Sequence, residues 1–381
     1  MRVGADKGIR KYEYIDAMRG IAILMVILVH CSQSVAWQGS VSLVDRFSVT
    51  LSSLGQLGVQ LFFVASGLTL SLSMDSRGWE SKAVGAFFIR RFFRIAPMYY
   101  IGMAFFAALS AIGKFWSISH YTLINVAANL FFVHGLVPSA NNSIVPGGWS
   151  IGTECLFYAV FPLLFIFYKK KGIRSLCYLL IAYAAILGIA GILARKYLGM
   201  MVENNTFAYF NFLVQLPVFV LGTACFHLVK YEDSRISTRL AVAVCVLALA
   251  AGCCLWWAGC FLFVPLVFGL AFVFLGLAMS RLQMIPQILT SIGRNSYSMY
   301  VFHILFAWVI GKRLNTWFLH SCNHTIALLL TFAVAVTFSY LFAKVTYRYV
   351  EKTFINIGTG IIKNRIYGVS DVAEQKDRVR V

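Results

Sequence analysis

The segment YIDAMRGIAILMVILVHCSQ, from Tyr14 to Gln33, is an apolar run carrying Asp16 and Arg19 near its start and His30 deep inside. On an α-helix the eleven residues from Arg19 to His30 cover three turns plus about 20° and advance roughly 16 Å. The cation and the imidazole therefore share a face at different depths. Imidazole exchanges protons near neutrality, which suits a general base or a nucleophile. An ionisable side chain inside an apolar span points to function, because burying it unpaired is expensive. Structural alternatives stay open: Arg19 can snorkel while pairing with Asp16 three residues earlier, and His30 can bond to a neighbouring helix.

Three further stretches carry chemistry. FFIRRFFRIAPMYY sets Arg91 and Arg94 three apart on one helical face, at the expected inner surface. Guanidinium groups bind phosphate in bidentate fashion, so the pair suits an anion; anchoring by positive charge alone accounts for one or two of these arginines. GGWSIGTECLFY places Ser150, Glu154 and Tyr158 at i, i+4 and i+8, with the Glu154 carboxylate about one turn into a span near the outer surface. Trp149 is accounted for by position alone as an interfacial belt residue. SIGRNSYSMYVFHIL repeats Tyr297, Tyr300 and His303 every three residues, lining one side of a helix. His134 and His227 read as structural.

The elements that must hold these residues are membrane helices. The chain of 381 residues is 60% hydrophobic with a mean hydropathy of +0.78, and only 12% of it is charged, about half the usual share for a soluble domain. Ten apolar runs of roughly spanning length fall at about 15–36, 54–74, 88–112, 149–168, 175–194, 207–229, 239–257, 260–279, 297–311 and 325–347. A shorter stretch at 121–137 carries Asn125, Asn129 and His134 and reads as re-entrant or interfacial. The first run reads as a retained span rather than a cleaved signal.

The net charge of +19 does not indicate a nucleic-acid partner. Of 33 Lys and Arg, all but six (Arg46, Lys114, Arg195, Lys196, Lys312 and Arg313) fall on the side of the termini when ten spans are threaded. The positive-inside rule then puts both termini in the cytoplasm. The expected fold class is all-α, a polytopic membrane helical bundle of about ten transmembrane helices. Residues 1–350 form the membrane domain and 351–381 a polar, basic, mobile cytoplasmic tail. Nine cysteines without CxxC or paired spacing give no sign of a disulfide framework or a metal site.

Five stretches in order, DAMRGIAILMVILVH, LGVQLFFVASG, RRFFRIAP, WSIGTECLFY and YSMYVFH, resemble the acyltransferase-3 family of integral membrane acyltransferases over roughly residues 12–350. The resemblance implies a ten-span fold, a cytoplasmic acyl-CoA donor (acetyl-CoA), no permanently bound cofactor, and an acceptor hydroxyl on a carbohydrate or glycoconjugate outside. The family's Arg-x10-His pattern falls on Arg19 and His30, and its Arg-x-x-Arg pattern on Arg91 and Arg94. Its Trp-Ser with downstream Glu and Phe-Tyr falls on Trp149, Ser150, Glu154, Phe157 and Tyr158. His30 and Glu154 are then the catalytic candidates, Glu154 orienting the imidazole or stabilising its cation. Arg19, Arg91 and Arg94 are candidates to hold CoA. Asp16, Ser66, Trp149, Ser150, Tyr158, Tyr297, Tyr300 and His303 serve substrate or support.

Two departures stand out: Gln60 where many members have an acid, and Ile151 for the commoner leucine. Many members also carry an esterase-like domain after the last span. None is seen here, so an extracytoplasmic partner would be a separate chain. The expected setting is a bacterial inner membrane. The rival class is a transporter or flippase of a lipid-linked sugar or small substrate, which would favour internal inverted repeats; none is evident.

Overall fold

The computed structural model describes residues 12–35, 42–113, 118–232 and 235–367. Several basic residues used in threading the chain lie outside them: Arg2, Lys7, Arg10, Lys11, Lys114, Lys376, Arg378 and Arg380. The described residues are helical, with no strand among them. In chain order the helices are α1 (Glu13–Ser34), α2 (Leu43–Ser53), α3 (Gly58–Arg77), α4 (Ser81–Ala111), α5 (Leu123–Leu130), α6 (Trp149–Leu198) and α7 (Phe212–Tyr231). There follow α8 (Thr238–Trp257), α9 (Val264–Ser280), α10 (Gln287–Arg294), α11 (Ser296–Ile304), α12 (Gly311–Leu319), α13 (His324–Thr346) and α14 (Lys352–Ile361).

Among the described residues, seven helical segments are long and apolar enough to cross a membrane. One of these, α6, is 50 residues long and is broken at Gly172, where φ is 79° and ψ is 176°. That region of backbone space is open essentially to glycine alone. The parts before and after the break correspond to the expected runs at 149–168 and 175–194. The latter part exposes Ile181, Ile186, Ile189 and Ile192, large apolar side chains that suit a lipid surface. The stretch at 121–137 holds only the eight residues of α5 and a 3₁₀ turn at His134–Leu136. Eight residues rise about 12 Å, too little to cross. After Glu351 the chain does not trail away at once. α14 packs on α4, and a β-carbon placed on Gly358 would lie 2.9 Å from Phe93 Cβ.

The chain divides into two compact units. The first comprises Met1–Phe62 and Leu282–Val350 and is organised about α1. Glycines let its helices touch backbone to backbone. A β-carbon on Gly20 would sit 2.4 Å from Leu289 O of α10, and one on Gly293 of α10 would sit 1.7 Å from Asp16 O of α1. The Arg294 Nε donates to Asp16 Oδ2 at 3.0 Å across the same contact. Elsewhere along α1, Gly55 and Gly58 face the carbonyls of Met25 and Ala22 in the same manner. At the start of α2, Ser42 and Asp45 form a capping box, and Asp45 Oδ1 also accepts from Thr325 N (3.0 Å) and Oγ1 (2.7 Å) near the start of α13. One carboxylate thus ties two helix starts together.

The second unit comprises Phe63–Arg281 and Glu351–Val381. Its core is aromatic. Phe219 of α7 stacks on Phe63 of α3 at 4.1 Å and on Phe157 of α6 at 4.3 Å between ring centres. α3 and α7 meet at Gly67 and Gly222, where an added β-carbon on either would lie 2.3–2.5 Å from a carbonyl of the other helix. Below this, Asp75 takes both Lys169 (2.9 Å) and Lys230.

Gly293→Ala should lower the stability of purified protein by about 1–3 kcal/mol, the usual range for overpacking, because its β-carbon has no room beside Asp16 O. Gly360→Ala in α14, where nothing lies within 4 Å of the added carbon, should leave the unfolding temperature unchanged or raise it. Thermal unfolding of the two variants beside the parent reads both outcomes.

Candidate functional site

In the first unit α1 runs unbroken from Glu13 to Ser34, so Arg19 and His30 keep the spacing along one helix that the sequence predicts. Asp16 is engaged by Arg294, an ion pair between α1 and α10 that sequence spacing did not reveal. The His30 ring lies 5.0 Å from that of His303, tilted by 44°. His303 is fully buried on α11, and its Nδ1 donates to Tyr300 O at 2.5 Å. The Tyr300 ring is 5.3 Å from His303 and meets Phe62 edge-on at 5.8 Å. Of the residues lining the expected stripe, His303 is therefore packed against His30 and Tyr300 against His303; Tyr297 of the same helix is half-buried. Directly after Ile304 the helix widens to π geometry over Leu305–Ile310, a feature often found beside functional residues. His30 Nδ1 is 2.9 Å from Gln33 Oε1.

In the second unit the carboxylate is Glu154, one turn into α6. Its Oε1 accepts hydrogen bonds from Ser66 of α3 and from Tyr158 Oη at 2.6 Å. The i, i+4 spacing puts Tyr158 on the same helix face as Glu154 and carries no information about Ser66. Ser150, expected on the same face, donates to Gly147 O at 3.2 Å and closes the turn that starts the helix. The Arg91 guanidinium of α4 lies over the Tyr158 ring at 5.5 Å and near Phe87 at 5.8 Å. Arg91 is thus held by aromatic faces between α4 and α6. A cation gains most from a ring face when both are desolvated. Arg94, one turn on, is half-buried.

Beside Arg91 and Tyr158 opens a cleft of about 350 Å³, lined by Phe88, Phe92, Phe131 and Phe132 among others. Phe132 has a φ of 57°, an unusual conformation for a bulky residue. Its ring contacts Tyr99 and Tyr100 at 5.2 and 5.6 Å.

Trp149 is a correction to the sequence reading. It is not an interfacial belt residue: it is 7% exposed, stacked on Phe210 at 4.3 Å and edge-on to Phe63 at 6.1 Å. The turn before it is held by His134, whose Nε2 donates to Gly148 O at 2.9 Å. The same ring stacks on Tyr99 at 5.6 Å, and Tyr99 Oη donates to Asn129 Oδ1 at 2.6 Å. Gly152 is required opposite this imidazole, since a β-carbon there would meet His134 Nε2 at 2.6 Å. His134 therefore acts structurally, as the sequence reading has it. Its burial pushes the imidazole pKa down, which keeps it the neutral donor that the turn needs. His227 Nδ1 lies 2.8 Å from Tyr168 Oη, within hydrogen-bond reach.

Removing either donor to Glu154, by Ser66→Ala or Tyr158→Phe, should cost about 1–3 kcal/mol, the usual cost of depriving a buried acceptor of a partner. The double variant should deviate from additivity because the two share one acceptor. Thermal unfolding across the four-member cycle measures this coupling, and strict additivity would separate the two contacts.

Comparison with known proteins adds a family. Residues 12–344 match the family model described as an acyltransferase domain. Over 111 residues the chain is 35% identical to the exopolysaccharide production protein ExoZ of Rhizobium meliloti (strain 1021), a match that takes in 29% of this chain and 34% of that protein. The chain thus spans about a third of the length of the curated relative it matches. No solved structure matches it. With the model covering nearly all of the chain, including every helix from α1 to α12 and most of α13, the chain belongs to the acyltransferase-3 family.

Proposed function

We propose that the protein is a membrane O-acyltransferase that moves an acetyl group from cytoplasmic acetyl-CoA to a hydroxyl of an extracytoplasmic carbohydrate or glycoconjugate. The observation that carries this reading is the acyltransferase match over residues 12–344. The relative named for exopolysaccharide production supports a polysaccharide as the acceptor class. The proposed setting is a bacterial inner membrane, with ten spans and both termini cytoplasmic, supported by the apolar helices and the distribution of basic residues.

In the proposed reaction His30 Nε2 accepts the proton of the acceptor hydroxyl. The oxygen attacks the thioester carbon, the carbon–sulfur bond breaks, and the leaving thiolate takes the proton from the imidazolium, so that free CoA and an ester result. The alternative order, acyl transfer to the imidazole first, uses the same nitrogen. Glu154 is the proposed second catalytic group, a carboxylate held by Ser66 and Tyr158. Arg19, Arg91 and Arg94 are the proposed phosphate-binding residues. Ser150, Trp149, Tyr297, Tyr300 and His303 support these groups, and a separate extracytoplasmic partner is proposed to handle the acceptor.

Purified protein given acetyl-CoA and surface polysaccharide from a strain lacking the protein should release free thiol and gain ester-acetyl proton signals. His30→Ala should reduce that rate by about a hundredfold or more, the contribution of a positioned base, with the unfolding temperature retained. A carrier of lipid-linked sugar would leave acetyl-CoA intact in the same assay. Undiminished turnover in His30→Ala would remove this residue from the mechanism.

A further inference from the structure

The chemistry assigned to His30 needs a lone pair on one particular nitrogen. A neutral imidazole carries one N–H and one lone pair, and the partner of one nitrogen decides the state of the other. His30 Nδ1 lies 2.9 Å from Gln33 Oε1, an oxygen that can only accept. Nδ1 is then the protonated nitrogen, and Nε2 holds the lone pair. Both residues lie on α1 with i, i+3 spacing, so the helix itself brings them together. Gln33 is exposed, and among the described residues its side chain makes no competing hydrogen bond.

The neighbouring imidazole is fixed in the same sense. His303 Nδ1 faces Tyr300 O at 2.5 Å, and a backbone carbonyl also can only accept. The buried His303 Nε2 has no hydrogen-bond partner among the described residues, which agrees with a lone pair on that nitrogen. His303 therefore packs against His30 at 5.0 Å between ring centres without supplying it a proton from that nitrogen. Gln33 is left as the group that sets the protonation of His30.

We propose that Gln33 is a positioning residue that holds His30 as the Nδ1–H tautomer and so presents Nε2 to the acceptor hydroxyl. The inference rests on the reading of His30 as the base. In a serine-hydrolase triad a carboxylate does this work on the histidine and also stabilises its cation. A neutral amide orients the ring and leaves its basicity lower. An amide turned through 180° would offer N–H to Nδ1 and demand the opposite tautomer, with no lone pair at Nε2.

The test uses the full chain in lipid nanodiscs with 15N-labelled histidine, the His30 signals being assigned by their loss in His30→Asn. In the parent protein Nδ1 should show the shift of a protonated nitrogen and Nε2 that of an unprotonated one. Gln33→Met, close in length but lacking the oxygen, should move both shifts toward the average of exchanging tautomers. Its kcat for acetyl transfer should fall about 10–100-fold, the usual cost of losing the partner that orients a functional imidazole, with KM for acetyl-CoA unchanged. Gln33→Glu should restore the Nδ1–H shifts and most of kcat. A protonated Nε2 in the parent would overturn the proposal, as would unmoved shifts and kcat in Gln33→Met, or Gln33→Glu failing to restore the tautomer. Undiminished turnover in His30→Ala would instead overturn the reading of His30 as base while leaving the tautomer result standing, so the two failures are distinguishable.

Discussion

Hydrocarbon offers a polar side chain nothing to bond to, so each one placed in an apolar helix must find its partner within the protein. That constraint shapes both units. In one, the Glu154 carboxylate takes two hydroxyl donors, and the Arg91 guanidinium rests on the ring of one of them. In the other, His30 and His303 each meet an oxygen acceptor at Nδ1. These partners come from the same helix or from a neighbour that approaches closely, and the approach depends on glycine. Gly20, Gly293, Gly67 and Gly222 remove the side chain where one backbone presses on another. Packing and chemistry are therefore one problem here: the helices can share polar groups only because they can touch.

What the sequence made legible follows from how local the signal was. Periodicity located the apolar helices, because hydrophobic length is written in the chain itself. The i, i+4 relation of Glu154 and Tyr158 became a hydrogen bond, since both ride on one helix. The stripe of Tyr300 and His303 became a packed wall, and His303 stands against His30. The long-range partners were not legible. Nothing in the spacing of Ser66 announces Glu154, and nothing near Asp16 announces Arg294, 278 positions away. Trp149 misled because its place at a helix start is equally that of a belt residue; only Phe210 and Phe63, distant in the chain, show it buried. Gln33 carried a local signal, three residues beyond His30, that amphipathic reading treats as a solvent-facing polar end.

The family explains why such groups recur in this order along the chain, and the structure adds what surrounds them. The turn before α6 is a small machine of its own, in which His134 holds Gly148 and Gly152 yields space to the ring. Helix α6 starts from that fixed point, and Glu154 lies one turn along it. The start of the helix that carries the carboxylate is thus held by a buried histidine.

The break at Gly172 has a mechanical consequence. One residue with a φ of 79° joins two apolar segments, and Lys169, Lys170, Lys171 and Arg174 crowd around it. Hydrocarbon rejects those charges, while their long stems let them reach water from just beneath it. In the proposed topology this elbow lies at the headgroup level, with Lys169 paired to Asp75 and one residue joining the two arms. In that topology, the depth of either arm is counted from this single residue.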